Sequence, residues 1–105
     1  MPSTKTPQLA HVMKEIATVY FRARRMLTNY PDVLTDSQFH QICSYIYTVL
    51  YSYTKLTSNE KQFLNNEYFY GANEGWWKSS LTEAQYKAMQ KQSITNFMRN
   101  FYEVF

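Results

Sequence analysis

A chain of 105 residues is long enough for one modest hydrophobic core and too short for several independent domains. Only two glycines and three prolines interrupt it, so the composition favours an all-α fold, and the net charge of +3 permits a nucleic-acid partner without requiring one. The single cysteine, Cys43, excludes an internal disulfide, and no run approaches the roughly 18 uninterrupted apolar residues of a membrane span. With no apolar signal core near the N-terminus, the expected location is cytoplasmic and no membrane partner is expected.

In chain order, Met1–Thr6 is polar and expected to be loose. Thr6 and Pro7 can open a first helix as cap and first helical residue. Leu9, Val12, Met13, Ile16, Val19, Tyr20, Ala23, Met26 and Leu27 keep the three-four rhythm of a helix to about Asn29. Arg22, Arg24 and Arg25 crowd its C-terminal end, where cations complement the helix dipole. Tyr30-Pro31-Asp32 ends it. Thr35 and Gln38 form a capping box for a second helix to about Tyr53, with Phe39, Ile42, Cys43, Ile46, Val49, Leu50 and Tyr53 as its apolar stripe. Tyr45, Tyr47 and Tyr51 fall beside or opposite that stripe, so this helix is apolar on more than one side and suits a central position or a partner's surface.

Thr57 and Glu60 make a further capping box. The helix behind it carries Phe63, Leu64, Tyr68 and Phe69 and is expected to end near Gly71, which can take the left-handed cap conformation. After the loop Ala72–Gly75, Trp76-Trp77-Lys78-Ser79-Ser80 has room for at most one or two helical turns. The last helix starts at Thr82, with Gln85 completing its capping box and Leu81 and Tyr86 in the positions of a hydrophobic staple. Tyr86, Met89, Ile94, Phe97 and Phe101 give its buried stripe. Ala84, Gln85, Lys87, Ala88, Lys91 and Gln92 give a small, amide-rich and basic face. Leu-Thr-x-x-Gln/Glu thus occurs at Leu34, Leu56 and Leu81 with unequal spacing, a repeated helix start and not a repeat protein.

Catalytic and metal chemistry has little to stand on. His11 and His40 have no second ligand at metal spacing, Cys43 has no neighbouring base in sequence, and Gly71 and Gly75 cannot make a phosphate loop. No cofactor, metal or enzymatic activity is expected. Charge divides unevenly. Residues 1–55 hold six basic side chains (Lys5, Lys14, Arg22, Arg24, Arg25 and Lys55) against three acids, and residues 56–105 hold five against five. Phosphate contacts from the second half would therefore depend on where its lysines stand, or on help from the first helix.

Leu56-Thr57-x-x-Glu60-Lys61-x-Phe63-Leu64-x-x-x-Tyr68-Phe69-Tyr70-Gly71 resembles the opening helix of sigma-factor region-four-like domains. Leu81-Thr82-Glu83-Ala84-Gln85-Tyr86-Lys87, continuing through Ser93-Ile94-x-x-Phe97 to the aromatic ending at Phe101, Tyr102 and Phe105, resembles the C-terminal helix of ArpU-type phage transcriptional regulators. The resemblance covers about the last 50 residues. Within it, Trp76-Trp77-Lys78 stands for a shortened first helix of a helix-turn-helix, and Ser79-Ser80 replaces the family's Leu-Gly. The resemblance implies a recognition helix capped by Thr82 and a groove face of Gln85, Lys87, Ala88 and Lys91. Outside it, Arg22, Arg24 and Arg25 are expected to add phosphate contacts if the first helix packs beside the motif.

The expectation is one all-α domain over residues 1–105 with four to five helices: an N-terminal helical pair at 7–54 and a helix-turn-helix-like half at 56–105. The expected function is sequence-specific binding of double-stranded DNA in transcription regulation, phage or prophage encoded. The alternative is a phage-encoded protein-interaction module or inhibitor, for example of host polymerase or a defence nuclease. Its anchors would be Trp76, Trp77, Tyr45, Tyr47 and Tyr51, and a homodimer through the second helix fits either reading.

Overall fold

The computed structural model describes residues 6–104. The expected loose segment Met1–Lys5 and the terminal Phe105 lie outside the described residues. Four helices carry the fold: α1 (Thr6–Asn29), α2 (Asp36–Thr54), α3 (Ser58–Leu64) and α4 (Glu83–Val104). A 3-10 turn at Pro31–Val33 follows α1, and a π turn at Asn65–Phe69 continues α3. No strand occurs among the described residues, and the fold is all-α.

Each boundary has a local cause. α1 stops where Pro31 has no N–H to give and disfavours helical geometry at Tyr30, which adopts φ −135° and ψ 43°. α2 and α3 begin with complete capping boxes. Thr35 and Gln38 exchange hydrogen bonds of 3.1 and 2.9 Å, and Thr57 and Glu60 exchange bonds of 3.3 and 2.9 Å. The π turn closes with a 2.7 Å bond from Tyr70 N–H to the Asn65 carbonyl. Gly71 then takes φ +62°, the left-handed conformation expected of a helix terminator there. Two features differ from the sequence reading. The segment 74–80 is a chain of hydrogen-bonded turns and not a short helix, with Trp76 N–H reaching Asn73 and Lys78 N–H reaching Gly75. Arg22, Arg24 and Arg25 precede the final turn of α1, which holds no basic residue.

α4 packs against each of the other three helices. Met13, Ile16 and Tyr20 of α1, Val49 of α2, Leu56, Phe63 and Leu64, and Ile94, Phe97, Met98 and Phe101 of α4 form one core that draws on both halves of the chain. The rings meet mostly edge to face: Phe69 abuts Tyr20, Phe21 and Tyr53 with centroids 5.9 to 6.2 Å apart.

α2 buries part of its predicted apolar stripe, with Val49 in the core and Ile46 and Tyr53 packed against it, but the buried side is shifted toward Thr48 and Ser52. Thr48, Val49 and Ser52 are its buried residues, whereas Phe39 and Leu50 are each 45% exposed. The small hydroxyl residues are tolerated because each bonds the carbonyl one turn back: Thr48 to Ser44 at 2.8 Å and Ser52 to Thr48 at 2.7 Å. Asn100 of α4 donates to the Ser52 carbonyl at 3.1 Å and ties the two helices. Tyr45 turns inward with them. Its hydroxyl donates to the Ile16 carbonyl at 3.1 Å and its ring meets Phe101 edge-on, so it is half-buried against the core.

Candidate nucleic-acid interface

The first turns of α4 are built by the Thr82 capping box. Gln85 N–H donates to the Thr82 hydroxyl at 3.1 Å, and the Gln85 side-chain oxygen accepts the Thr82 N–H at 2.8 Å. The box fixes where Gln85 stands and occupies one lone pair of its oxygen, leaving the amide –NH2 and the second lone pair to offer outward. Beyond it, Ala84, Gln85, Lys87, Ala88, Lys91 and Gln92 are all exposed. Two alanines among them keep the surface low enough for another backbone to approach. Lys87 reaches Glu83 one turn earlier at 3.2 Å, an exposed pair worth a few tenths of a kcal/mol and readily exchanged.

Opposite this face, α4 meets α1 along a groove lined by His11, Lys14, Glu67, Tyr68, Tyr86 and Gln90 among others. The Tyr86 hydroxyl donates to the Glu67 carboxylate across nineteen residues of sequence. Burial, then that bond and the carboxylate's charge, push the Tyr86 phenol well above its ordinary value. Burial also raises Tyr68, partly offset by the amide of Gln90, which donates to its hydroxyl at 3.2 Å. These bonds lock the π turn to the start of α4.

The basic residues divide. Lys14 lines the groove that contains Tyr86 and Gln90, so it is the basic side chain of α1 brought to the start of α4. Arg24 sits over the Tyr20 ring at 5.7 Å and lines a different hollow, with Tyr53 and Phe69; Arg22 and Arg25 are exposed on the same stretch of α1. Sequence reasoning grouped the three arginines with α4 and left Lys14 in the background. Nothing local distinguishes Lys14; only the packing of α1 on α4 does.

The tryptophans are engaged within the chain. Trp76 meets Phe63 edge-on at 5.5 Å and Trp77 stacks on Tyr86 at 4.4 Å, both half-buried. They brace the turns before α4, where the resemblance expects a helix. Among the described residues, thirteen positions separate the π turn from α4 (70–82), longer than the three- or four-residue turn of a helix-turn-helix. On α2, Tyr47 is 63% exposed and stacks on Tyr51 at 6.2 Å, and the Lys55 ammonium lies 4.9 Å from the Tyr51 ring centre. A hydrogen bond and charge contact with Tyr51 raise the Lys55 ammonium above its usual value.

Among the described residues no three His, Cys, Asp or Glu side chains gather as a metal site, and no helix is long and apolar enough to cross a membrane. His11 lies 3.6 Å from Glu15 on an exposed turn, and Cys43 is partly buried. No protein-family model matches the chain, and neither curated proteins nor solved structures match it significantly.

Proposed function

We propose that the chain is a binding module for double-stranded DNA, acting in transcription regulation through the exposed N-terminal face of α4. The observation that carries this reading is that face itself. It is a continuous exposed strip from Ala84 to Gln92 at the start of a 22-residue helix, with two lysines, two amides and two alanines. A helix start of this composition suits insertion into a major groove, with Lys91 on a phosphate and Gln85 and Lys87 toward base edges. The resemblance of residues 56–105 to ArpU-type and sigma-region-four regulators points the same way and extends it to a phage or prophage setting. The 74–80 turns, braced by Trp76 and Trp77, take the place of the motif's first helix. The test is a gel shift with random duplex pools at low and moderate salt. Salt-sensitive binding is expected, and its absence removes the reading.

A second reading is favoured by one observation, the stack of exposed Tyr47 on half-buried Tyr51 beside exposed Leu50. Aromatic pairs of this kind are interface anchors, and this one suits a homodimer or a host protein as partner.

A further inference from the structure

A hollow of about 60 Å³ opens between α1, α2 and the π turn. Tyr20, Phe21, Val49, Tyr53 and Phe69 give it apolar walls, and Arg24 stands in its lining. Two features separate it from an ordinary packing defect. The first is the backbone: the π turn interrupts the helical run that begins with α3, and both its ends, Asn65 and Phe69, line the hollow. Such turns widen a helix locally and recur at functional sites. The second is polarity. The Arg24 guanidinium is held over Tyr20 with no carboxylate partner among the described residues. Asn65 donates to the Tyr53 hydroxyl at 2.7 Å, which leaves that hydroxyl's own proton to give. No acidic side chain lines the hollow.

A cation and a phenol donor beside a mostly aromatic recess suit an anion with a short apolar tail. We infer that this hollow binds a small alkyl carboxylate, its branched or linear tail among Val49, Tyr53 and Phe69 and its carboxylate on Arg24 and Tyr53. The recess is smaller than the roughly 150 Å³ that takes benzene, so the tail is limited to about the size of an isobutyl group. A guanidinium recognises a carboxylate through two parallel N–H bonds, which gives the site an orientation as well as a charge. The inference stands apart from whatever α4 meets.

The experiment titrates 3-methylbutanoate into the full chain while two-dimensional NMR follows the backbone amides. Saturable shifts are expected at Arg24, Val49, Tyr53 and Asn65, with millimolar affinity for so few ligand atoms. The neutral 3-methylbutan-1-ol should bind about tenfold more weakly, and Arg24→Gln, a change at an exposed position, should weaken the carboxylate by a similar factor without moving the urea midpoint. No saturable shift up to about 50 mM carboxylate would overturn the site. Equal binding of acid and alcohol, or equal binding by the Arg24→Gln chain, would overturn the role of the anion.

Discussion

Asn96 of α4 donates through its amide to the carboxylate of Glu60, thirty-six residues earlier at the start of α3. Gln92 adds a longer bond of 3.4 Å to the same oxygen. The other oxygen of Glu60 accepts the Thr57 N–H of the capping box. One side chain that is 2% exposed thus closes a helix start and docks a distant helix on it. The boxes at Thr35 and Thr82 use glutamine in the same place, where the cap is exposed. A carboxylate stands at position 60 because only an acceptor-only group satisfies three donors facing it from two helices.

Burial alone would raise the Glu60 carboxyl. The Thr57 N–H, the Asn96 amide, the Thr57 hydroxyl and the Gln92 amide outweigh it and hold the group below its ordinary value. The folded pKa is therefore depressed, so the stabilisation is present above the unfolded value of about 4.3 and is lost as pH falls through the folded one. Glu60→Gln keeps a residue that can cap but presents an amide donor to other donors. We expect it to cost on the order of 2 kcal/mol at neutral pH and to flatten the acid limb of the stability curve. Urea denaturation from pH 7 to pH 3 checks both. An acid limb as steep in the variant as in the wild type would mean that another carboxylate carries it.

The two other caps lie at the surface and act more simply. Thr82→Ala removes the acceptor of the Gln85 N–H and should lower stability by about 1 kcal/mol, with an unchanged denaturant slope. Thr35→Ala should do the same for α2. A midpoint that stays put in both variants would show that the boxes contribute nothing to the stability of these helix starts.

All three caps, and hence the four-helix order, were legible in the sequence because each is a local pattern of four residues. The stop at Pro31 and the left-handed Gly71 were legible for the same reason. The facing of α2 was legible only in part. Its apolar count placed Val49 inward correctly but Phe39 and Leu50 with it, whereas Thr48 and Ser52 are buried beside Val49 because their hydroxyls find carbonyls within the helix and their small size lets α4 approach. The candidate interface was half legible. The exposed strip on α4 follows from helical periodicity, but the partners of Tyr86 and the approach of Lys14 depend on contacts across many residues, which no local pattern encodes. The contact of Arg24 with Tyr20, by contrast, is an i,i+4 pair on one helix and was open to a local reading.

If the Tyr47–Tyr51 stack is a self-association surface, sedimentation velocity should show weight-average mass rising with concentration into the high micromolar range. Tyr47→Ser, at a position 63% exposed, should abolish the rise without changing the unfolding midpoint by more than about 0.5 kcal/mol. A monomer at every concentration would leave the tyrosines as a surface for a different protein or for none.

The DNA reading makes a prediction that depends on the pairings around α4. Lys91 is unpaired among the described residues, so Lys91→Ala should weaken binding to selected and scrambled duplexes alike and reduce the salt slope by about 1. Lys87 is drawn to Glu83, so Glu83→Gln should release it and strengthen binding, most clearly at low salt. Gln85 offers a base its amide –NH2 and the remaining lone pair of its oxygen. Gln85→Ala should lose about 1–3 kcal/mol on the preferred sequence alone, and Thr82→Ala, which breaks the same box without reaching the groove, controls for loss of the cap. The experiment is a titration of these four variants and the wild type on both duplexes at several salt concentrations. Wild-type binding that is absent down to about 50 mM salt, where phosphate contacts are near their strongest, would sink the α4 interface. Binding that persists while Lys91→Ala and Glu83→Gln leave it unmoved would shift the contact to Lys14, Arg22 and Arg25, whose neutralisation is then the deciding measurement.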